Sequence, residues 1–160
     1  MTTASFHGRR TALVLLTAAC LGAHSAAALA HPHPTQADAV AMTEKAAAFL
    51  ETHGTAKLIE RVNAKDLEFC DGELYLVVLQ LDGTHLAHPV NAKLIGKSLL
   101  DLPDTNGKMF RRERVALAAS QGKGWVDYKY KNPKTGRTEQ KTAYVLKAAE
   151  VLLSVGVYKD

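Results

Sequence analysis

The chain has 160 residues, enough for one domain of ordinary size. It is 47% hydrophobic and 22% charged, with 11 glycines and 5 prolines, which excludes a collagen, a disordered tail and a polytopic membrane protein. The formal net charge is only +4, and a binder of nucleic acid usually carries a clustered basic face. We therefore expect no nucleic-acid partner.

Residues 1–30 have the order of a secretory signal peptide. Arg9 and Arg10 precede an apolar run from Thr11 to Gly22, and Ala28-Leu29-Ala30 has small residues at the positions that a signal peptidase requires. The apolar run is too short to span the hydrocarbon layer as a helix. We therefore predict cleavage after Ala30 and a periplasmic location.

Two aspects of export stay open at this point. The twin arginines leave both the Sec and the Tat route open, and Thr17-Ala18-Ala19-Cys20 is similar to a lipoprotein cleavage box, which makes lipid anchoring the alternative.

After cleavage only Cys70 would remain, so no intramolecular disulfide could form. Apolar neighbours predict that Cys70 is partly buried and inert.

The first part of the mature chain is predicted to be an extended leader and two helices. Residues 31–36 begin His31-Pro32-His33-Pro34, and a residue before proline is pushed away from the helical region. Thr35 can cap a long helix, because the apolar residues that follow it recur at spacings of three and four. These are Met42, Ala46, Phe49 and Leu50. Gly54 interrupts the pattern, and residues 55–63 form the second helix.

The period then changes to that of strands. Leu74–Leu81 is a continuous apolar run, Asp82-Gly83 is a hairpin signal, and Thr84–His88 is the returning strand. A long connection, Val90–Lys108, leads to an amphipathic helix at Phe110–Ser120. Three more strands are predicted at Trp125–Tyr130, Thr138–Leu146 and Val151–Tyr158. This order predicts an α+β domain with an antiparallel sheet.

Residue patterns for catalysis or metal binding are weak. His85 and His88 have the spacing of a metal pair, but side chains on a strand alternate, so we expect the two rings on opposite faces and no metal site. No nucleophile motif or phosphate-binding loop is present in the sequence. We therefore expect neither an enzyme nor a cofactor.

A binding pocket fits the sequence better. Tyrosine and tryptophan combine an apolar body with a polar tip, which suits a pocket wall, although core packing is the alternative for each ring. The rings expected on neighbouring strands are Tyr75, Trp125, Tyr128, Tyr130 and Tyr144. His88 would lie at the pocket mouth. Lys97, or one arginine of Phe110–Arg114 turned inward, would neutralise a carboxylate.

Several motifs follow one another along the mature chain. They are Gly72–Tyr75, Leu81–Thr84, Ala87–Asn91, Leu94–Leu99, Gly124–Tyr128, Asn132–Gly136 and Lys141–Tyr144. In this order they resemble the single Cache domain (sCache type 2) of bacterial extracytoplasmic sensors. The resemblance covers about residues 37–158. It implies a long N-terminal helix packed on a PAS-like antiparallel sheet of five to six strands. It also implies a receptor for a small organic acid of the acetate, propionate, pyruvate or lactate class.

Two departures from the family shape the expected role. The sequence stops at Asp160, where receptor relatives continue into a membrane helix and a signalling module, so we expect a secreted Cache protein that feeds a signalling or uptake system. Ser154 replaces a frequent glycine and the loop at 148–150 is short, which predicts a narrow pocket.

The ligand-binding residues expected from rings, charge and resemblance are Tyr75, His88, Lys97, Trp125, Tyr128 and Tyr144. The expected partners are the ligand and a membrane-bound sensor. The alternative is a ligand-free interaction module that docks on a membrane-bound receptor or kinase. Both a monomer and a homodimer fit the sequence.

Overall fold

The computed structural model describes residues 1–2 and 33–159. Nearly all of the predicted signal peptide at 1–30, and the start of the predicted leader at 31–36, lie outside these described residues. Within the described ranges, no helix combines the length and the apolar character needed to cross a membrane.

The described residues form three α-helices: α1 at Gln36–His53, α2 at Thr55–Asn63 and α3 at Phe110–Gln121. The predicted cap of α1 is confirmed. The Thr35 hydroxyl accepts from the Asp38 backbone N–H at 3.3 Å, and the Asp38 carboxylate accepts from the Thr35 N–H at 2.7 Å. This reciprocal pair satisfies two N–H groups that the first helical turn leaves without partners. Gly54, with φ of 82°, makes the turn into α2.

The described chain contains six strands in one sheet. They are β1 at Cys70–Asp71, β2 at Leu74–Gln80, β3 at His85–Ala87, β4 at Lys123–Lys131, β5 at Thr138–Ala148 and β6 at Val151–Tyr158. The order is β1-β2-β6-β5-β4, every pair is antiparallel, and β3 also pairs with β2. The predicted α+β fold is confirmed. The sequence pattern missed β1 because it has only two residues.

Both faces of the sheet are covered, which explains the unbroken apolar run of β2. On one face, Leu76 and Val78 pack in a core with α1 residues such as Ala46. On the other face, Val77 and Leu79 pack in a core with Ala118 of α3. A strand buried on both sides has no polar alternation.

The segment between β3 and α3 is anchored at both ends. Its first half returns to β3, where the His85 N–H donates to the Lys97 carbonyl at 3.1 Å and the Gly96 N–H donates to the His85 carbonyl at 2.9 Å. Near its end, the Asp104 carboxylate accepts from the Lys108 N–H at 2.9 Å and from the Lys129 N–H of β4 at 2.8 Å. These contacts hold α3 over the sheet.

Candidate ligand-binding site

A small cavity lies between α3, the end of β3 and the α3-facing side of the sheet. Its aromatic walls are Tyr75, Phe110, Tyr128 and Tyr130. Its basic groups are His85, His88, Arg111, Arg114 and Lys141. The remaining lining residues are Val77, Ser154 and Gly156. The cavity volume is about 20 Å³, counted as the space that the centre of a water molecule can reach. This is room for a few non-hydrogen atoms.

Strand register places Lys141 in this cavity. Lys141 on β5 lies opposite Tyr128 of β4 and Tyr158 of β6, so the three side chains share one face of the sheet. Gly156 lies next to the stem of Lys141, and a Cβ at Gly156 would be 2.6 Å from the Lys141 Cε. The missing side chain of Gly156 therefore makes room for Lys141.

Lys141 is almost completely buried, with 1% of its surface exposed. Its Nζ lies 2.9 Å from the Tyr75 hydroxyl and 4.1 Å from the Tyr75 ring centroid. The Tyr158 ring centroid is 4.2 Å away on the other strand. Burial, with the nearby charge of Arg114 as the next cause, holds the pKa of Lys141 well below its ordinary value.

Two arginines of α3 also turn inward, where the sequence had suggested one. Arg111 and Arg114 are three residues apart and so share a helix face, and both are buried. Arg111 donates to the Leu102 carbonyl at 2.7 Å. The Arg114 guanidinium lies 4.5 Å from the Tyr128 ring centroid, and its buried Nε has no hydrogen-bond partner among the described residues. Burial lowers the pKa of Arg111, but a guanidinium stays charged at neutral pH.

The expectation that His85 and His88 face opposite sides is wrong. Both rings are buried on the cavity side, with centroids 6.0 Å apart. The alternation fails because β3 ends at Ala87, so His88 lies beyond the strand ladder. Burial lowers the pKa of His88 from about 6.5 to about 3, and its Nδ1 has no hydrogen-bond partner in the described chain. Among the described residues, no group of three or more His, Cys, Asp or Glu side chains could hold a metal ion.

The cavity is basic, and no carboxylate of residues 33–159 lines it. The ion pairs found among the described residues involve none of Arg111, Arg114 and Lys141. Glu73 exerts an attractive charge effect on Lys141, but its carboxylate accepts from the Asn132 amide at 2.7 Å. The site therefore has the charge and the donors to bind an anion.

The structure brings together only some of the residues expected at the site. Tyr75, His88 and Tyr128 line the cavity. Trp125 and Tyr144 do not line it. Trp125 is three residues from Tyr128 on β4, and Tyr144 is three residues from Lys141 on β5. Because side chains alternate along a strand, both project from the other face of the sheet. Their rings contact each other at 5.2 Å between centroids, and Trp125 packs on the core beneath α1.

Lys97 is also outside the cavity. Its side chain is exposed, and its part in the site is its backbone carbonyl, which lies 3.1 Å from the His85 Nδ1. The main residue that sequence reasoning missed is Lys141. Its signal is weak, because residues 141–145 are all buried and show no alternation of polarity. Only the pairing opposite Tyr128 identifies the face on which Lys141 lies.

Cys70 is partly buried, as the sequence predicts. Burial raises the pKa of its thiol, which disfavours the reactive thiolate. Cys70 does not line the cavity.

Two solved structures that are 25% identical to this chain are described as sensor or chemosensory domains. A periplasmic sensor domain of a chemotaxis protein is 25% identical, with a TM-score of 0.61 over 76% of this chain and 88% of that one. A Cache chemosensory domain solved for its carboxylic acid recognition is also 25% identical, with a TM-score of 0.61 over 76% of this chain and 86% of that one. A methyl-accepting chemotaxis protein of Vibrio parahaemolyticus shares the fold. It is 18% identical, with a TM-score of 0.66 over 78% of this chain and 88% of that one.

Sequence comparison also finds a chemotaxis receptor and a sensor-domain family. The chain is 32% identical over 92 residues to the methyl-accepting chemotaxis protein McpP of Pseudomonas putida, which covers 56% of this chain. The matched region spans only 17% of that receptor's length. The family described as single Cache domain 2 matches residues 35–160, nearly all of the region outside the predicted signal peptide. The chain belongs to the single Cache domain 2 family of sensor domains.

Proposed function

We propose that this chain is a periplasmic receptor domain for a short-chain carboxylate of the acetate, propionate, pyruvate or lactate class. The observation that carries the proposal is the charge of the cavity. Two buried guanidinium groups, from Arg111 and Arg114, and the buried amine of Lys141 meet there, and the described part of the chain contributes no carboxylate to the cavity lining. Buried charge is costly unless it is paired. A carboxylate ligand would supply the missing charge.

The shape of the cavity supports a small ligand with one acidic end. Its small volume favours a ligand of a few non-hydrogen atoms over a sugar or a nucleotide. The rings of Phe110 and Tyr128 stack at 4.1 Å between centroids and form an apolar wall for a short carbon chain. The likeness to a Cache domain with carboxylic acid recognition, at 25% identity, supports the same ligand class.

The family consists of sensor domains, so we propose that binding itself is the activity. The chemotaxis receptor relative supports a membrane-bound receptor or kinase as the partner that reads the bound state. The predicted signal peptide supports export to the periplasm. In this proposal the chain changes its affinity for the partner when the cavity fills.

Thermal unfolding and calorimetry with a panel of acids test the proposal. A ligand that binds only the folded state stabilises it by about 2.7 kcal/mol at 100 times its Kd. We expect at least one of acetate, propionate, pyruvate and lactate to raise the melting temperature, and Arg114→Met to abolish the effect.

Arg112→Met is the matched control. Arg112 lies on the same helix, but its side chain is exposed and pairs with Asp101 outside the cavity. It should leave binding intact, although the change in net charge is identical. A flat response to every acid would refute the receptor proposal and favour the ligand-free docking module. Equal losses in the two variants would show that overall charge, and not the cavity, holds the anion.

A further inference from the structure

The basic side chains of the cavity differ in whether they can exchange a proton near neutral pH. The guanidinium groups of Arg111 and Arg114 are always protonated. The amine of Lys141 can be protonated or neutral, and Lys141 is the least exposed of the basic residues of the cavity, at 1%. We propose that the carboxylate enters together with one proton, which the amine of Lys141 holds in the complex. This inference rests on the proposed carboxylate binding and adds how that binding depends on pH.

The surroundings of Lys141 oppose a positive charge while the cavity is empty. The titratable or charged groups that face it from other elements are Tyr75 on β2, Tyr128 on β4, Tyr158 on β6, Arg114 on α3 and His88 after β3. Arg111, His85 and Tyr130 line the same cavity. None of these groups is a carboxylate. Burial raises the pKa values of Tyr75, Tyr128 and Tyr158 and lowers those of His85 and His88, which favours their neutral forms.

Two carboxylates near this region are bound to other groups. Glu73, before β2, accepts from the Asn132 amide and pairs with His33 at 3.4 Å and Lys134 at 3.6 Å. Glu139, on the same strand as Lys141, accepts from the Asn132 amide at 2.7 Å and from the Thr135 hydroxyl at 2.6 Å. Neither lines the cavity. Since none of the described carboxylates gives Lys141 a full counter-charge, the ligand supplies it in this proposal.

The Tyr75 hydroxyl can accommodate either state of the amine. At 2.9 Å from Nζ, it can accept from an ammonium or donate to a neutral amine. A carboxylate that enters the cavity favours the ammonium, because an opposite charge a few ångströms away raises the pKa of a base. The acid form of the buffer supplies the proton and becomes its conjugate base, so only a proton transfer is involved and no covalent bond to the ligand forms.

Linkage then fixes the sign of the pH dependence. When the complex binds one more proton than the empty protein, the affinity falls as the pH rises. Kd should increase by up to about tenfold per pH unit between the pKa of Lys141 in the empty site and its higher pKa in the complex. The receptor would thus respond more strongly to the same concentration of anion in a more acidic medium.

Isothermal titration calorimetry with propionate counts the proton directly. Titrations in pairs of buffers with different ionisation enthalpies, between pH 5 and pH 10, should show an uptake approaching one proton within part of this range. In Lys141→Met the uptake should be absent, and in His88→Gln it should persist at neutral pH, whatever the affinity of that variant. The ¹³Cε shift of Lys141, followed with and without propionate in the unmutated protein, locates the proton even if Lys141→Met does not fold.

The outcomes separate this inference from the proposed function. If propionate, acetate, pyruvate and lactate all fail to bind in any buffer, the proposed function is wrong and the inference falls with it. If a carboxylate binds with no proton uptake at any pH, only the inference is overturned. Uptake that survives in Lys141→Met, or that disappears in His88→Gln, would also overturn it, because the proton would then be assigned to a group other than Lys141.

Discussion

Replacement of Gly156 by alanine tests the packing that positions Lys141. The new Cβ would lie 2.6 Å from the Lys141 Cε, 3.1 Å from the Thr142 carbonyl oxygen and 3.2 Å from the Ala143 Cβ. The first distance is too short to persist, so the lysine stem has to move. An added methyl group in a packed core costs about 1–3 kcal/mol, and the gain from replacing glycine offsets about 0.4–1 kcal/mol of it.

We expect Gly156→Ala to lower the free energy of unfolding by about 1–2 kcal/mol, measured by urea denaturation. Displacement of the Lys141 amine should also remove one charge-assisted contact to the carboxylate, worth about 1.5–3 kcal/mol. The Kd for propionate should therefore rise by about 10- to 100-fold in calorimetry.

A double-mutant cycle shows whether the effect passes through Lys141. In a Lys141→Ala background the 2.6 Å contact no longer exists, so Gly156→Ala should cost less stability than it does alone. The remaining cost would come from the contacts with Thr142 and Ala143. The same cost in both backgrounds, or wild-type affinity in the single variant, would refute the positioning role of Gly156.

Two further predictions concern acid stability and the cap of α1. Because the pKa of His88 is lowered to about 3 in the folded protein, the unfolded chain binds more protons below pH 6.5, and stability should fall by up to about 1.4 kcal/mol per pH unit toward pH 3. His88→Gln should weaken this dependence in urea titrations, with His85 retaining a part, and an unchanged slope would contradict the assignment. Thr35→Ala should cost about 0.5–2 kcal/mol in thermal unfolding, whereas Thr52→Ala, exposed on the same helix, should cost much less; equal losses would argue against the capping box.

The sequence was sufficient for the elements of this fold other than β1, because each of them depends on residues close together in the chain. Thr35 and Asp38 form a cap from a separation of three residues. Asp82-Gly83 returns β2 onto β3, and Leu74–Leu81 contains a strand because a short apolar run rich in β-formers has few alternatives. The resemblance to the Cache family added that a long N-terminal helix packs on a PAS-like antiparallel sheet.

The site could be predicted only in part. Tyr75, His88 and Tyr128 were expected at the site and do line the cavity, whereas Trp125 and Tyr144 were expected there and lie on the other face of the sheet. Aromatic character makes a residue suitable for a wall without specifying which layer it enters. The face of the sheet on which a side chain lies depends on two things: whether its position along the strand is odd or even, and which residue of the next strand it pairs with.

Composition and periodicity by themselves determined that the chain folds as a helix followed by an antiparallel sheet. Only the tertiary structure decided that Lys141, Arg111 and Arg114 meet, because they come from a strand and a helix whose contact depends on how α3 lies over the sheet. The contact between helix and strand brings the three basic groups into one cavity, and local sequence patterns do not predict that contact. For the same reason, β5 alone could not reveal Lys141, since both of its faces are covered by other parts of the chain.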